Sequence, residues 1–139
     1  NMDWTSDENL WVSTVQVSPS SSNAHNNMGD IYSRRKDYVN AAVEFQKAID
    51  LQKGDADPRH NLGIVLTLMK RYPEALEAYQ GALDIDDTLV NTHLNMGVVY
   101  HTLKKYPEAE HHLTKALKYG PPNKVISELL QQVKQLMNE

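Results

Sequence analysis

At 139 residues the chain is one domain's worth, and without cysteine it has neither disulfides nor a thiol nucleophile. Its net charge of −4 argues against a nucleic-acid surface. No apolar run approaches a membrane span and no signal-peptide pattern is visible. The sequence therefore reads as a soluble piece of a longer chain, compatible with any compartment, with direct membrane insertion of this segment not expected.

A period of 34 residues organises the rest. Gly29, Gly63 and Gly97 keep that spacing, as do Ala41, Ala75 and Ala109, then Ala48, Ala82 and Ala116, and Asn27, Asn61 and Asn95. Such a period marks stacked copies of one supersecondary unit, each burying its apolar face only against its neighbours. Shifted back by one period, Trp4 aligns with Tyr38, Trp11 with Phe45 and Pro19 with Lys53. Residues 1–21 therefore read as an orphan half-repeat helix and its loop, or as a plain capping helix, opened by the capping box Thr5-Ser6-Asp7-Glu8. Trp4, Leu10, Trp11 and Val15 lack a helical partner in that half-repeat, so weak self-association through residues 1–20 is expected.

Three helix pairs follow, at 23–36 with 39–52, 57–70 with 73–86, and 91–104 with 107–118. Steps such as Leu62 to Leu66, and Leu76 to Tyr79 to Leu83, have a helical period. Asp57-Pro58, Tyr72-Pro73 and Tyr106-Pro107 are start signals, and Val39 stands in for proline in the first pair. Gly63 and Ala75 are expected where two helices of a hairpin cross, since small side chains let the axes approach. From Val125 to Met137 an apolar stripe at helical spacing (Ile126, Leu129, Leu130, Val133, Leu136) predicts a last helix. Asn123 or Ser127 would cap it, and Glu128, Gln131, Gln132, Lys134 and Gln135 would form its solvated outer face.

The pattern N-[LM]-G-x-x-[YL], then Y-[PV]-x-A, then [FYL]-x-x-A, resembles the tetratricopeptide repeat over Ser22 to Asn123. The resemblance implies an all-α, right-handed α-solenoid of three repeats, at 22–55, 56–89 and 90–123, with a solvating helix at 124–139. The chain departs from the family pattern at His25, Arg59 and His93, where tryptophan is common. A second segment, Trp4-x-x-x-Glu8-x-Leu10 with Pro19 and His25-Asn26-Asn27-Met28-Gly29, is similar to the junction before the repeats of membrane-embedded O-mannosyltransferases. That similarity implies a substrate-positioning tail of a glycosyltransferase.

In the tetratricopeptide fold the first helices line a concave groove, which implies a protein or peptide partner. The matching positions are Asn23, Asn26, Asn27, Asp30, Ser33 and Arg34 in the first repeat. The second contributes Asp57, His60, Asn61, Ile64, Thr67 and Leu68, and the third Asn91, Leu94, Asn95, Val98, His101 and Thr102. The column Asn27, Asn61, Asn95 resembles the asparagine ladder of O-linked N-acetylglucosamine transferases. Each carboxamide could hold a peptide backbone, or be used up on a neighbouring helix. The clamp that grips chaperone C-terminal carboxylates maps to Asn26, Asp30, Asn61, Asn91 and Asn95. Only Asn61 matches, and Asp30 would repel a carboxylate, so that partner is not expected. Ile64, Leu68, Leu94 and Val98 make an apolar centre, or part of the core.

Catalysis has little to stand on. Six histidines are present, but none form the i, i+4 pair of a helical zinc site, and no phosphate loop or nucleophile elbow occurs. No enzyme activity, metal or cofactor is implied. The leading expectation is an interaction module, with a self-assembling scaffold as the alternative.

Overall fold

A computed structural model describes residues 21–139. The expected helix at Thr5–Val17, and the self-association assigned to residues 1–20, lie outside the described residues. The described residues form seven helices and no strands. These are α1 Ser22–Arg34, α2 Tyr38–Leu51, α3 Ala56–Leu68, α4 Tyr72–Ile85, α5 Val90–Thr102, α6 Tyr106–Tyr119 and α7 Lys124–Met137. The chain divides into two units, one ending at Gly81 and the other beginning at Ala82.

The starts of α1, α2, α3 and α7 carry a side-chain cap, whereas those of α5 and α6 have no such hydrogen bond. Ser21 caps α1 by accepting from the Ala24 N–H at 3.2 Å, and Asp37 caps α2. Asn123, not Ser127, caps α7, accepting from the Ile126 N–H at 3.1 Å. The start of α3 differs from the sequence expectation: Asp55 is the cap, and Pro58 sits third in the helix. A proline fits there because the first N–H groups of a helix have no intrahelical partner to lose.

Each hairpin turns through the same device. Lys36, Lys70 and Lys104, again 34 apart, have φ of 63°, 60° and 60°. Behind them the N–H groups of Asp37, Arg71 and Lys105 reach back to the carbonyls of Tyr32, Leu66 and Tyr100, each at 2.9 Å. This is the Schellman closure, with lysine at the left-handed position usually held by glycine.

Glycine is used instead inside the hairpins. A Cβ on Gly29 would lie 2.5 Å from the Phe45 ring, on Gly63 2.5 Å from the Tyr79 ring, and on Gly97 2.8 Å from Leu113. The glycine therefore meets the large residue 16 positions on. The alanine columns are fully enclosed: Ala41, Ala48, Ala75, Ala82, Ala109 and Ala116 are all buried.

In the first unit Ala41, Phe45 and Val65 form a core flanked by Tyr32, Tyr38 and Leu62. In the second, Ala109, Leu113 and Ala116 of α6 pack with Ile126, Leu130 and Val133 of α7. The outer face of α7 is exposed as expected. Its stripe is narrower than the sequence suggested, because Val125 at the first turn and Met137 at the last are exposed. Both lie at the ends of the helix, past the reach of the covering residues.

Candidate functional site

On α1 the positions 23, 26, 27, 30 and 34 repeat at three- and four-residue steps and so share a face. Asn23, Asp30 and Arg34 are exposed, and Asn26 and Asn27 half-buried. The opposite positions, Ala24, Met28 and Ile31, go into the core. Asp30 and Arg34 neutralise each other across one turn at 3.3 Å.

On α3 the corresponding face carries His60, Asn61, Ile64 and Leu68. Asn61 Nδ2 donates to Asn26 Oδ1 at 3.1 Å, which ties consecutive first helices side by side. One N–H of the Asn61 carboxamide is thus used on a neighbour, while a carboxamide has two N–H donors and an acceptor oxygen in all. Ile64 is half-buried, and Leu68, 52% exposed, is the most exposed apolar side chain on this face. The His60 ring lies 5.7 Å from the Tyr79 ring, and burial pushes its pKa below the ordinary histidine value, partly offset by Asp57. Thr67 turns away from the face: its hydroxyl donates to the Gly63 carbonyl at 2.8 Å and lies 3.3 Å from the Tyr79 hydroxyl.

In the second unit α5 presents Asn91 and Val98 exposed, with Leu94, Asn95 and His101 half-buried. Leu94 packs against the α6–α7 core, so it is at least partly a structural residue. The His101 ring stands 6.0 Å from Tyr106. Apart from the Asp30–Arg34 pair and the exposed Asp57 carboxylate at the start of α3, the face on each unit carries carboxamides beside aliphatic side chains and imidazoles, suited to backbone amides and apolar groups.

Arg59, at one of the tryptophan-like positions, behaves differently from its counterparts. Its Nη2 donates to the Lys53 carbonyl at 3.1 Å, while Nε is buried without an acceptor. It lines an open crevice of about 280 Å³ with Gln46, Ile49, Glu74 and Glu77. A buried unsatisfied N–H costs about 1–3 kcal/mol. Arg59→Met keeps the aliphatic stem and removes that donor. We expect a gain of about 1 kcal/mol in urea unfolding, net of the lost exposed hydrogen bond. A lower midpoint would show that the guanidinium earns its place.

The histidines hold one arrangement that sequence spacing did not reveal, His93 against His112. Among the described residues no group of three His, Cys, Asp or Glu side chains is placed to hold a metal ion. No described helix is long and apolar enough to cross a membrane.

Solved structures with the same fold include the first tetratricopeptide domain of Spaghetti (RPAP3) bound to an HSP90 peptide. It is 17% identical, with a TM-score of 0.82 over 86% of this chain and 94% of that one. The tetratricopeptide domain of Arabidopsis OM64 is 22% identical, with a TM-score of 0.78 over 83% and 95%. A structure of MamA is 15% identical, with a TM-score of 0.86 over 92% and 75%. At these identities the likeness concerns the fold alone. No curated protein matches the chain. A family model, the tetratricopeptide repeat, matches residues 20–88 and 54–119, the span of all three hairpins. The chain belongs to the tetratricopeptide repeat family.

Proposed function

We propose that the chain is a protein-interaction module, not a catalyst, and that it holds a peptide or partner segment along the first helices of its hairpins. The observation that carries this reading is the Asn61–Asn26 bond. It ties α1 to α3, and Asn61 shares its helix face with the exposed Leu68 two turns on. Carboxamides can pair with a backbone in either sense, and an apolar strip beside them suits an apolar segment or an amphipathic helix. On the first unit Asn27 and Asn61 supply the backbone contacts and Ile64 and Leu68 the apolar ones; on the second, Asn95 and Val98 do the same. The Spaghetti domain binds an HSP90 peptide, but the positions that match a carboxylate clamp here are Asn26, Asp30, Asn61, Asn91 and Asn95. The partner's C-terminal carboxylate is therefore not what is read.

The test uses peptides selected on the intact chain from a displayed random library. Replacing Asn27, Asn61 and Asn95 together by alanine is expected to weaken the selected peptides about tenfold or more, roughly the loss of one to two net hydrogen bonds. The melting temperature should change little, and amidating the peptide C-terminus should leave affinity unaltered. A triple variant that melts much earlier yet keeps its affinity would assign the carboxamides to the scaffold.

A further inference from the structure

The repeat puts a polar pair at matching positions of the first and third hairpins. His25 and Glu44 are 19 residues apart, and so are His93 and His112. In the first hairpin His25 Nδ1 meets a Glu44 carboxylate oxygen at 2.5 Å. In the third, a second imidazole takes the carboxylate's place. Nδ1 of His93 on α5 lies 3.1 Å from Nδ1 of His112 on α6, and both side chains are buried.

Two imidazole nitrogens at hydrogen-bond distance share one proton, so one is N–H and the other a bare lone pair. His93 Nε2 lies 2.7 Å from the Asp87 carbonyl oxygen, which can only accept. Nε2 therefore carries hydrogen, and a neutral His93 accepts at Nδ1. His112 must donate from its own Nδ1, which leaves its Nε2 as the place for an added proton. The rings continue in a run, Tyr100, His112, His93, Tyr119, with successive centroids 5.6, 5.3 and 5.9 Å apart.

The surroundings offer an extra positive charge little compensation. On α6, His111 lies edge-on to His112 at 5.0 Å, and Lys115 and Lys118 stand over the Tyr119 ring. Before α5, the Asp87 carboxylate is 3.8 Å from His93 Nε2 and 3.4 Å from the Tyr119 hydroxyl. On α7, Lys124 and Glu128 pair with each other at 3.9 Å, and Lys134 is exposed. At the end of α4, Asp84 and the following Asp86 are exposed, Asp86 holding Thr88. The charges acting on His112 are those of His111, His93, Asp87 and Lys115.

We propose that the His93–His112 pair is an acid-sensitive latch of the third hairpin: neutral, it closes α5 on α6, and an added proton leaves a buried cation that loosens them. In the first hairpin the matching position holds the Glu44 carboxylate instead.

Burial, followed by the neighbouring His111 and His93, lowers the His112 pKa from 6.5 to about 4. A folded-state value below the unfolded one means that the unfolded chain takes the proton first. The contribution is complete above the unfolded value of 6.5 and is lost as pH falls toward 4. Between pH 7.5 and 5.0 this corresponds to an increase of about 30-fold in the unfolding constant.

Urea unfolding at those two pH values tests the latch, in the parent chain, His112→Gln and His111→Gln. Glutamine is polar and of similar length but does not titrate. His112→Gln should lose about 30-fold of the parent's acid response, whereas His111→Gln should retain it. An equal acid response in His112→Gln and the parent overturns the proposal. Nitrogen-15 spectra of the parent's histidine rings decide it independently of any variant's folding. His112 should be the Nδ1–H tautomer at pH 7.5 and titrate well below the ordinary histidine value. An Nε2–H tautomer, or titration near the ordinary value, overturns it.

Discussion

Gly63→Leu is expected to cost about 3 kcal/mol, the upper end of the usual range for overpacking a core, or more. Even the first added carbon would lie 2.5 Å from the Tyr79 ring, closer than real Cβ contacts come. The ring cannot move aside easily. Tyr79 is 1% exposed, and its hydroxyl is within reach of Thr67. α3 and α4 would have to separate, and the separation would uncover Ala75 and Leu66, both buried. Gly63→Ala should be milder, because alanine returns up to about 1 kcal/mol of helix propensity against the same clash. Urea unfolding monitored by helical circular dichroism measures both. A neutral Gly63→Leu would place the helix crossing elsewhere.

Leu113→Ala should have a comparable effect for the opposite reason. Leu113 is fully buried among Ala109, Ala116, Ile126, Leu130 and Val133, and truncating such a leucine costs about 2–5 kcal/mol. Its branch stands 2.8 Å from where a Gly97 Cβ would be. Gly97→Ala alone should therefore destabilise, yet in the Leu113→Ala background the new methyl enters the vacated space. The double variant should be more stable than the sum of the two single losses predicts, by about 0.5–3 kcal/mol. Strict additivity would mean that α5 and α6 do not cross at these residues.

The helices were legible because their small residues recur in register: each end observed lies within a few residues of the expected one. What the sequence did not disclose depends on tertiary placement. That the Tyr79 ring is what closes on Gly63 follows from the helix crossing and not from the spacing of the small residues. The pairing of His93 with His112 joins two helices at a spacing no single-helix pattern contains. Its signal was the matching 19-residue step from His25 to Glu44, visible only once the hairpins are overlaid. At the groove, the spacing identified a shared face on α1 and α3. It left open whether the carboxamides are used on a neighbouring helix and whether Leu94 belongs to the core; Asn61 does donate to Asn26, and Leu94 packs against the α6–α7 core.

The left-handed lysines at the three turns bear on how freely this chain can evolve. Lys36, Lys70 and Lys104 each hold a conformation that disfavours a side chain by about 1–2 kcal/mol relative to glycine. All three are exposed, away from the buried crossings and from the faces of α1, α3 and α5. A change at a turn can therefore raise stability while leaving the proposed binding face as it was. A costly substitution on that face has a remote remedy in the same hairpin. If the proposed face holds the partner, the repeat separates the positions that set specificity from those that can restore stability, so partner choice can drift without the fold being lost on the way.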